Sequence, residues 1–386
     1  MPLPPELLRL IAGNIDEQST LLGLRLVSKG FGVIFTPLAF RLITVSDSLR
    51  RGQALAALQE CEEELVSNIR EIVFHGDPLS PTDNPSNWIS VDVEEGLPRR
   101  RALQSAFAAL NKFPKLEHLR LDFHNTWQEE DIVDIPEQPT HFLLLQNALF
   151  SALASCSPAP KLVSVTLHNV LAVPDAIYAQ PEFQSFFSTL QTLDLSVLSD
   201  AESEGSYYQT PLATFWDTSM AHIVRSAKSA RSLTIRSDQS TGAYPALSFA
   251  ATCLPNLEEL SLTKFVLDTS SPDSDVALFI VKHKRTLRRL ELHDCTIDGG
   301  EDLQFPRPWF AVFNLFNDEL IHLRSFVFQS IARRGRRAPI GAKFGYTRLD
   351  PGWGYMPLNE EDGPVQGADL DAPTLEGFLA AVAARS

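Results

Sequence analysis

One short apolar pattern recurs along most of this 386-residue chain and limits what it can fold into. The pattern is apolar-x-x-apolar-x-apolar, and its last two apolar positions are two residues apart, so on a strand they point to the same face. Eight copies occur: Ile69/Ile72/Phe74, Leu116/Leu119/Leu121, Leu162/Val165/Leu167, Leu190/Leu193/Leu195, Ala230/Leu233/Ile235, Leu257/Leu260/Leu262, Leu287/Leu290/Leu292, and Leu320/Leu323 continuing to Phe326/Phe328.

The alternate positions of these strands are polar in nearly every copy. Of the 24 positions that flank the last two apolar residues, only Val73 and Val327 are apolar. Such alternation predicts a sheet with one face on the core and one face in water. The wet face carries nine Ser or Thr, five acids, three Arg and four His, which suits recognition of a protein segment. Its candidate binding residues are His118, Arg120, Asp122, Arg236, Glu259, Arg289, Glu291 and His293.

Stretches of helical character separate the strands. They cover residues 101–113, 140–156, 181–188, 212–229, 246–253, 274–284 and 308–319. Alternating strand and helix predicts a parallel sheet with one face covered by helices. Three long insertions, 77–99, 126–139 and 199–211, are rich in Pro, Ser, Gly or acids and are expected to be exposed loops.

Composition favours a protein partner. The net charge of −15 repels phosphate backbones, which argues against nucleic acid. No apolar run approaches the ~18 residues that a membrane span needs. The four cysteines form no Cys-x-x-Cys pair, so neither a zinc ribbon nor a disulfide framework is predicted. The start of the chain has no leader pattern, and we expect a soluble protein of the cytoplasm or nucleus.

The first 45 residues differ from the rest. Apolar residues at helical spacing predict two or three short helices, with prolines in the first turn. So short a helical piece buries too little surface to be stable alone and exposes apolar faces, so it is expected to need a partner.

These residues resemble an F-box of the fungal type. The resemblance is carried by Leu3, Pro4, Glu6, Leu7, Leu8 and Ile11, by the run Leu-Arg-Leu-Val-Ser-Lys-Gly-Phe at 24–31, and by Thr-Pro-Leu-Ala-Phe-Arg at 36–41. It implies docking on the SKP adaptor of an SCF ubiquitin ligase and, through the adaptor, on a cullin. The residues implied at or near the contact are Leu3, Pro4, Leu7, Leu8, Ile11, Leu21, Leu24, Val27 and Phe31. The sequence does not divide them between the contact and the small core of the helices.

The repeated pattern is similar to a leucine-rich repeat. Successive copies start 27 to 47 residues apart, against about 20–29 in regular repeats, so insertions are expected. The resulting fold class is α/β: an N-terminal helical F-box (1–45), a curved leucine-rich-repeat solenoid with a parallel sheet and outer helices (46–338), and a C-terminal cap (339–386). The cap is expected to hold extended segments around a Pro-Gly turn and a helix over 374–385, with Leu375, Phe378, Leu379 and Val382 on one side.

No catalytic pattern, metal ligand set, cofactor motif or phosphate-binding loop is legible. His293 and Cys295 invite a Cys/His interpretation and would share a face on a strand, but adjacency in sequence is not the spatial requirement. His118 and His124 lack a third ligand at a recognisable spacing. The four arginines between Arg333 and Arg337 fit a solvated loop, a site for an acidic or phosphorylated partner, or a nuclear-import signal.

The leading hypothesis is therefore a non-enzymatic substrate receptor of an SCF ligase that binds an unidentified protein substrate through its repeats. One alternative is a repeat-based binding scaffold outside ubiquitin ligation, whose first helices only cap the solenoid. A second is an enzyme with a scattered active site.

Overall fold

The structure of the protein is a computed structural model. Contacts divide it into an N-terminal unit, Met1–His124 with Thr140–His168, and a C-terminal unit, Asn125–Pro139 with Asn169–Ser386. The residues that the structure describes are 4–15, 17–76, 93–125, 139–199, 210–249, 251–268, 276–299, 303, 305, 307–329, 344–350, 354–358 and 362–385.

The N-terminal unit begins with three short helices, α1 (Pro5–Ala12), α2 (Gln18–Leu24) and α3 (Lys29–Ala39). The Ser28 hydroxyl starts α3 by accepting a hydrogen bond from the Phe31 N–H at 3.3 Å. The three helices share a small core of four buried residues. These are Ala12, Leu21, Phe35 and Ala39.

Strands and helices then alternate through the rest of this unit. Its elements are β1 (Leu42–Ser46), α4 (Leu49–Leu58), α5 (Glu63–Val66), β2 (Glu71–His75), α6 (Val93–Phe107), β3 (His118–Asp122), α7 (His141–Ser155) and β4 (Ser164–Leu171), with a 3₁₀ turn at Leu110–Lys112. Ser48 and Thr140 cap α4 and α7 by accepting hydrogen bonds from the N–H groups of Arg51 and Leu143.

The C-terminal unit continues the alternation. Its first elements are α8 (Pro181–Phe187), β5 (Thr192–Leu198), α9 (Thr210–Thr214), a π-helical segment (Phe215–Met220), α10 (Ala221–Ser226), β6 (Ser232–Thr241), β7 (Glu259–Phe265), α11 (Val276–Lys282) and β8 (Arg289–His293). They are followed by β9 (Thr296–Asp298), α12 (Trp309–Glu319), β10 (Ser325–Gln329), β11 (Gly345–Asp350), β12 (Gly354–Pro357) and α13 (Asp371–Arg385). Short 3₁₀ helices lie at Ala176–Ala179 and Ala368–Leu370.

The described residues form a nine-stranded parallel sheet in the order β1-β2-β3-β4-β5-β6-β7-β8-β10, with helices outside it. This mixed α/β architecture is consistent with an α/β solenoid, as the strand pattern predicted. Each inward residue of the eight predicted strands is buried except Phe328, which is half-buried. Each outward residue is at least partly exposed except Val73.

Aligned registers place the apolar residues of neighbouring strands side by side. Leu260 of β7 stands beside Leu290 of β8, and Leu262 stands beside Leu292. The strand β1 was not among the eight predicted copies, yet Ile43 and Val45 align with Ile72 and Phe74 of β2. Phe40, Ile43 and Val45 have the same spacing as the eight copies, and the prediction missed β1 because residues 1–45 were assigned to the N-terminal helices.

In three of the repeats, a residue with left-handed backbone conformation follows the outward strand positions. Asn169, Lys264 and Asp294 have φ of 55°, 59° and 51°, each two residues after the last inward leucine. The residue that follows is buried in all three repeats: Val170, Phe265 and Cys295. A single left-handed residue breaks the strand alternation, so two polar positions are followed by an inward side chain.

The C-terminal segments bind one another through the ends of α12. Asp371 accepts hydrogen bonds from the Phe310 N–H at 2.8 Å and the Tyr346 hydroxyl at 2.7 Å. At the other end of α12, the Arg385 guanidinium donates to the carbonyls of Asn317 and Leu320 at 3.1 Å. An acid at the N-terminus and a base at the C-terminus both complement the helix dipole.

Three local expectations were wrong. Residues 246–249 and 251–253 are not helical, because Leu247 and Phe249 enter the core alternately, as in an extended segment. The helix α6 begins at Val93, inside the insertion expected to be a loop up to residue 99. Within α6, a Cβ at position 96 would overlap His141 Nδ1, so the packing of this helix requires the glycine found there. Leu379 is exposed, whereas the other three predicted apolar residues of α13 are buried.

The left-handed position predicts a difference between two substitutions at Asn169. Both Asn169→Gly and Asn169→Val remove the amide, but only valine is strained at positive φ, by roughly 1–2 kcal/mol. We expect Asn169→Val to unfold at lower urea concentration than Asn169→Gly, with the same dependence on denaturant. Equal midpoints for the two variants would contradict this account.

The two hydrogen bonds that Asp371 accepts at the N-terminus of α12 predict a large loss of stability when its side chain is removed. The variant Asp371→Ala leaves the Phe310 N–H and the Tyr346 hydroxyl without their acceptor, which costs about 2 kcal/mol or more. The matched control is Asp369→Ala, at an exposed acid two residues earlier, expected to stay within about 0.5 kcal/mol. Urea unfolding followed by circular dichroism measures both variants. Similar losses of stability would contradict the role assigned to the Asp371 hydrogen bonds.

Candidate functional site

The N-terminal helices divide the residues that the F-box resemblance implied. Leu7 (46% exposed), Ile11 (47%) and Val27 (64%) face solvent, as does Pro4. Leu8 and Leu21 are buried, and Leu24 and Phe31 are partly buried against the small core. Leu3 lies outside the described residues.

Three further apolar residues of this segment are exposed and were not singled out. They are Leu10 (64% exposed), Leu26 (76%) and Val33 (74%). Leu10 shares a stripe of α1 with Leu7 and Ile11, since residues three and four apart are neighbours on a helix. Their exposure depends on which face of each short helix the tertiary packing buries.

The outward face of the N-terminal unit is organised around Asp122. The Arg120 Nε donates to both oxygens of the Asp122 carboxylate at 2.8 Å. On the neighbouring strands, His75 Nδ1 and His168 Nδ1 lie 3.2 and 2.9 Å from the same carboxylate. Burial alone would raise the pKa of Asp122, but hydrogen bonds from His168 and Arg120 outweigh it and lower the pKa. The third predicted residue of this strand, His118, is exposed at its start.

The outward face of the C-terminal unit carries paired charges. Arg236 Nη1 lies 2.6 Å from Asp194 Oδ1, and Arg289 Nη2 lies 2.5 Å from Glu291 Oε1. His293 Nε2 lies 3.4 Å from the other Glu291 oxygen. Burial alone would raise the pKa of Glu291, but the Arg289 and His293 hydrogen bonds outweigh it and lower the pKa.

A shallow concavity opens on this face between β6, β7 and β8. Its lining residues are Ser232, Thr234, Glu259, Leu260, Ser261, Arg289 and Glu291. Three of the eight predicted binding residues therefore meet at one place, namely Glu259, Arg289 and Glu291. The residues His118, Arg120 and Asp122 lie on β3 of the other unit.

A buried polar network that the sequence did not reveal lies at the carboxyl ends of β1 and β3. The Asp47 side chain is only 3% exposed, and one of its oxygens lies 2.9 Å from His141 Nε2 and 3.4 Å from His124 Nε2. Arg99 Nη1 lies 3.9 Å from the same oxygen. The residues come from four separate segments, so no spacing in the sequence marks the network.

The contact with Arg100 assigns the tautomer of His141. Arg100 Nη1 lies 2.9 Å from His141 Nδ1, and a guanidinium can only donate. Nδ1 is therefore the acceptor, and Nε2 carries the proton that His141 donates to Asp47. A protonated Nε2 does not ligate a metal, and in the described part of the chain no group of three or more His, Cys, Asp or Glu is placed to hold a metal ion.

The fold separates Cys295 from His293, the two residues of the candidate Cys/His site. The Cys295 Sγ contacts the backbone carbonyls of Leu262 and His293, and burial raises the pKa of this thiol to about 12. The His293 ring points to Glu291 instead. The expectation that His293 and Cys295 share a face was wrong, because Asp294 is left-handed between them. The arginine cluster at Arg333–Arg337 lies outside the described residues.

One further acid has a displaced pKa. Burial raises the pKa of Asp238 to about 6, although the hydroxyl and N–H of Ser199, each at 2.7 Å, lower it in part. Ser199 is itself fully buried. Asp238 thus anchors the end of β5 to β6, and the Ser199 hydroxyl is shielded from any substrate.

Comparison with protein-family models found no match, and comparison with curated proteins found no similar sequence. Among the described residues, no helix combines the length and the apolar character that crossing a bilayer requires.

The network around Asp47 predicts a pH-dependent contribution to stability. Burial alone would raise the pKa of Asp47, but hydrogen bonds from His124 and His141 and the charge of Arg99 hold it well below its ordinary 3.8. A depressed pKa in the folded state means that this stabilisation is complete above about pH 5 and is lost as the pH falls below the unfolded value.

We expect Asp47→Asn to lower the free energy of unfolding by about 2 kcal/mol at pH 7. The difference from the parent protein should shrink below pH 4. Urea unfolding at several pH values measures it, and a difference that stays constant down to pH 2 would contradict this assignment.

Proposed function

We propose that this chain is a substrate receptor of an SCF-type ubiquitin ligase, built from an N-terminal F-box and irregular leucine-rich repeats. In this proposal α1–α3 dock on the SKP adaptor, which links the receptor to a cullin. The repeats bind a protein substrate, and the receptor has no active site of its own. The complex would work in the cytoplasm or the nucleus.

The observation that carries the proposal is the exposed apolar surface of the first three helices. A helix that only capped a solenoid would turn its apolar stripe inward. Instead α1 presents Leu7, Leu10 and Ile11 to solvent while Leu8 and Ala12 provide its buried side. Contiguous exposed apolar surface is typical of a site for another polypeptide.

The adaptor contact would gain its energy from this surface. Burying a large aliphatic side chain is worth about 1.5–3 kcal/mol, so a half-exposed one still contributes about 1 kcal/mol when a partner covers it. Six such side chains lie on α1, on α3 and in the turn between α2 and α3, and together they would contribute about 6 kcal/mol of apolar burial. The buried Leu8 and Leu21 would hold the helices in position instead of touching the adaptor.

The receptor would act by proximity. Holding a substrate on the strand face while the adaptor holds the ubiquitin-transfer machinery raises the effective concentration of the substrate lysine. The polar, hydroxyl-rich outward face supports this role, because directional hydrogen bonds and paired charges select a protein segment.

Adaptor binding tests the proposal directly. We expect the full chain to bind a purified SKP adaptor and Leu7→Ser/Ile11→Ser to bind roughly 30-fold more weakly, since about 2 kcal/mol of apolar burial is removed. The matched control is Ile321→Ser/Leu379→Ser, which changes two exposed apolar residues of the C-terminal unit and should leave binding unchanged.

Isothermal titration calorimetry measures the affinities, and circular dichroism shows that each variant is folded. If the parent chain does not bind the adaptor, the ligase proposal is rejected and the scaffold alternative replaces it. If both double variants lose affinity equally, the contact does not lie on α1.

A further inference from the structure

The concavity between β6, β7 and β8 has a floor of small residues and walls of long ones. The strand register places Ser232 beside Glu259, and Glu259 beside Arg289. Two residues further along β7 and β8, on the same face of the sheet, Ser261 stands beside Glu291. Neighbouring strands lie about 4.8 Å apart, so the small hydroxyl residues leave a notch that the Glu and Arg side chains border.

The charges at this notch do not cancel. Arg289 directs its guanidinium at Glu291, with Nε and Nη2 donating to Oε1 at 2.9 and 2.5 Å. Glu259 accepts a hydrogen bond from the Ser232 hydroxyl at 3.3 Å, and the charge of its cross-strand neighbour Arg289 also acts on it, but no salt bridge joins Glu259 to any residue that the structure describes. The notch therefore has one carboxylate more than it has cations.

Apart from Arg289, the neighbouring arginines do not supply a second cation. Arg236 is bound to Asp194 through both of its terminal nitrogens, and Arg231 pairs with Glu258 at 3.2 Å. The Arg288 guanidinium donates to the carbonyls of Leu287 and His322. None of these arginines lines the notch.

The lining also limits the chemistry of a ligand. Its only apolar member, Leu260, is buried, and the other six residues are hydroxyls, carboxylates and one guanidinium. A ligand would be recognised there through hydrogen bonds and charge, which gives specificity and a strong dependence on salt.

We propose that this notch binds a lysine or arginine side chain of a protein segment, with its cation between Glu259 and Glu291. The long aliphatic part of such a side chain spans the rim, and its head finds two carboxylates and the hydroxyls of the floor as acceptors. The net charge of −15 favours the approach of a basic segment over the whole molecule.

This inference rests on the part of the proposed function that places a substrate on the strand face, and it names the substrate class as a basic protein segment. It does not depend on the adaptor. The full chain alone is sufficient for the test, so the two proposals fail separately.

The test measures binding of a fluorescent oligolysine peptide by anisotropy at low salt, with oligoglutamate as the opposite probe. We expect oligolysine to bind and Glu259→Gln to weaken it about fivefold, which corresponds to about 1 kcal/mol for a partly exposed ion pair. Arg289→Gln should have the opposite effect, tightening binding about fivefold, because it frees Glu291 for the ligand.

The matched control is Glu376→Gln, which removes the same charge from an exposed position on α13 and should change binding by less than about twofold. Equal losses for Glu259→Gln and Glu376→Gln would show that only the diffuse charge of the protein attracts the peptide. That result, weaker binding by Arg289→Gln, or a preference for oligoglutamate would each overturn the proposal.

Discussion

The structure depends on the burial of the inward side chains of its parallel strands. No single strand and helix can cover these side chains alone, and strands of the nine-stranded sheet share their apolar rows in register, as β2 does with β3 and β7 with β8. This is the physical reason that such repeats are stable only as a series. It is also why the same three apolar positions recur in the sequence, while the lengths of the connections vary freely.

The first three helices are an exception to this rule, and that makes them functionally interesting. Their own core is small, and only four residues form its buried centre. Larger apolar residues are exposed to water beside that core, and contiguous exposed apolar surface is typical of a site for another polypeptide. The proposed adaptor would cover the exposed apolar residues of α1–α3. The residues that make these helices marginally stable alone would then form the binding surface.

The polar groups of the molecule serve two different ends. Deep in the fold, Asp47 and Asp371 join segments that are distant in sequence, because their carboxylates accept hydrogen bonds from His141 and from the Phe310 N–H. On the outward face, arginines and acids pair across or along strands, which fixes their directions before any ligand arrives. An arrangement of this kind favours selectivity over affinity, because much of each charge is already satisfied.

The apolar periodicity by itself determined the eight strands, their inward faces, their parallel order and most of the helices between them. These features follow from spacing along the chain, since a period of two or of 3.6 residues acts locally. Only the tertiary structure decided which of Leu7, Leu8 and Ile11 are exposed, and that Asp294 turns Cys295 away from His293. It also assembled Asp47 with His124 and His141, and Glu259 with Arg289 and Glu291. Such groupings join residues from separate segments, and the packing of whole elements sets their distances, so no local pattern in the sequence encodes them.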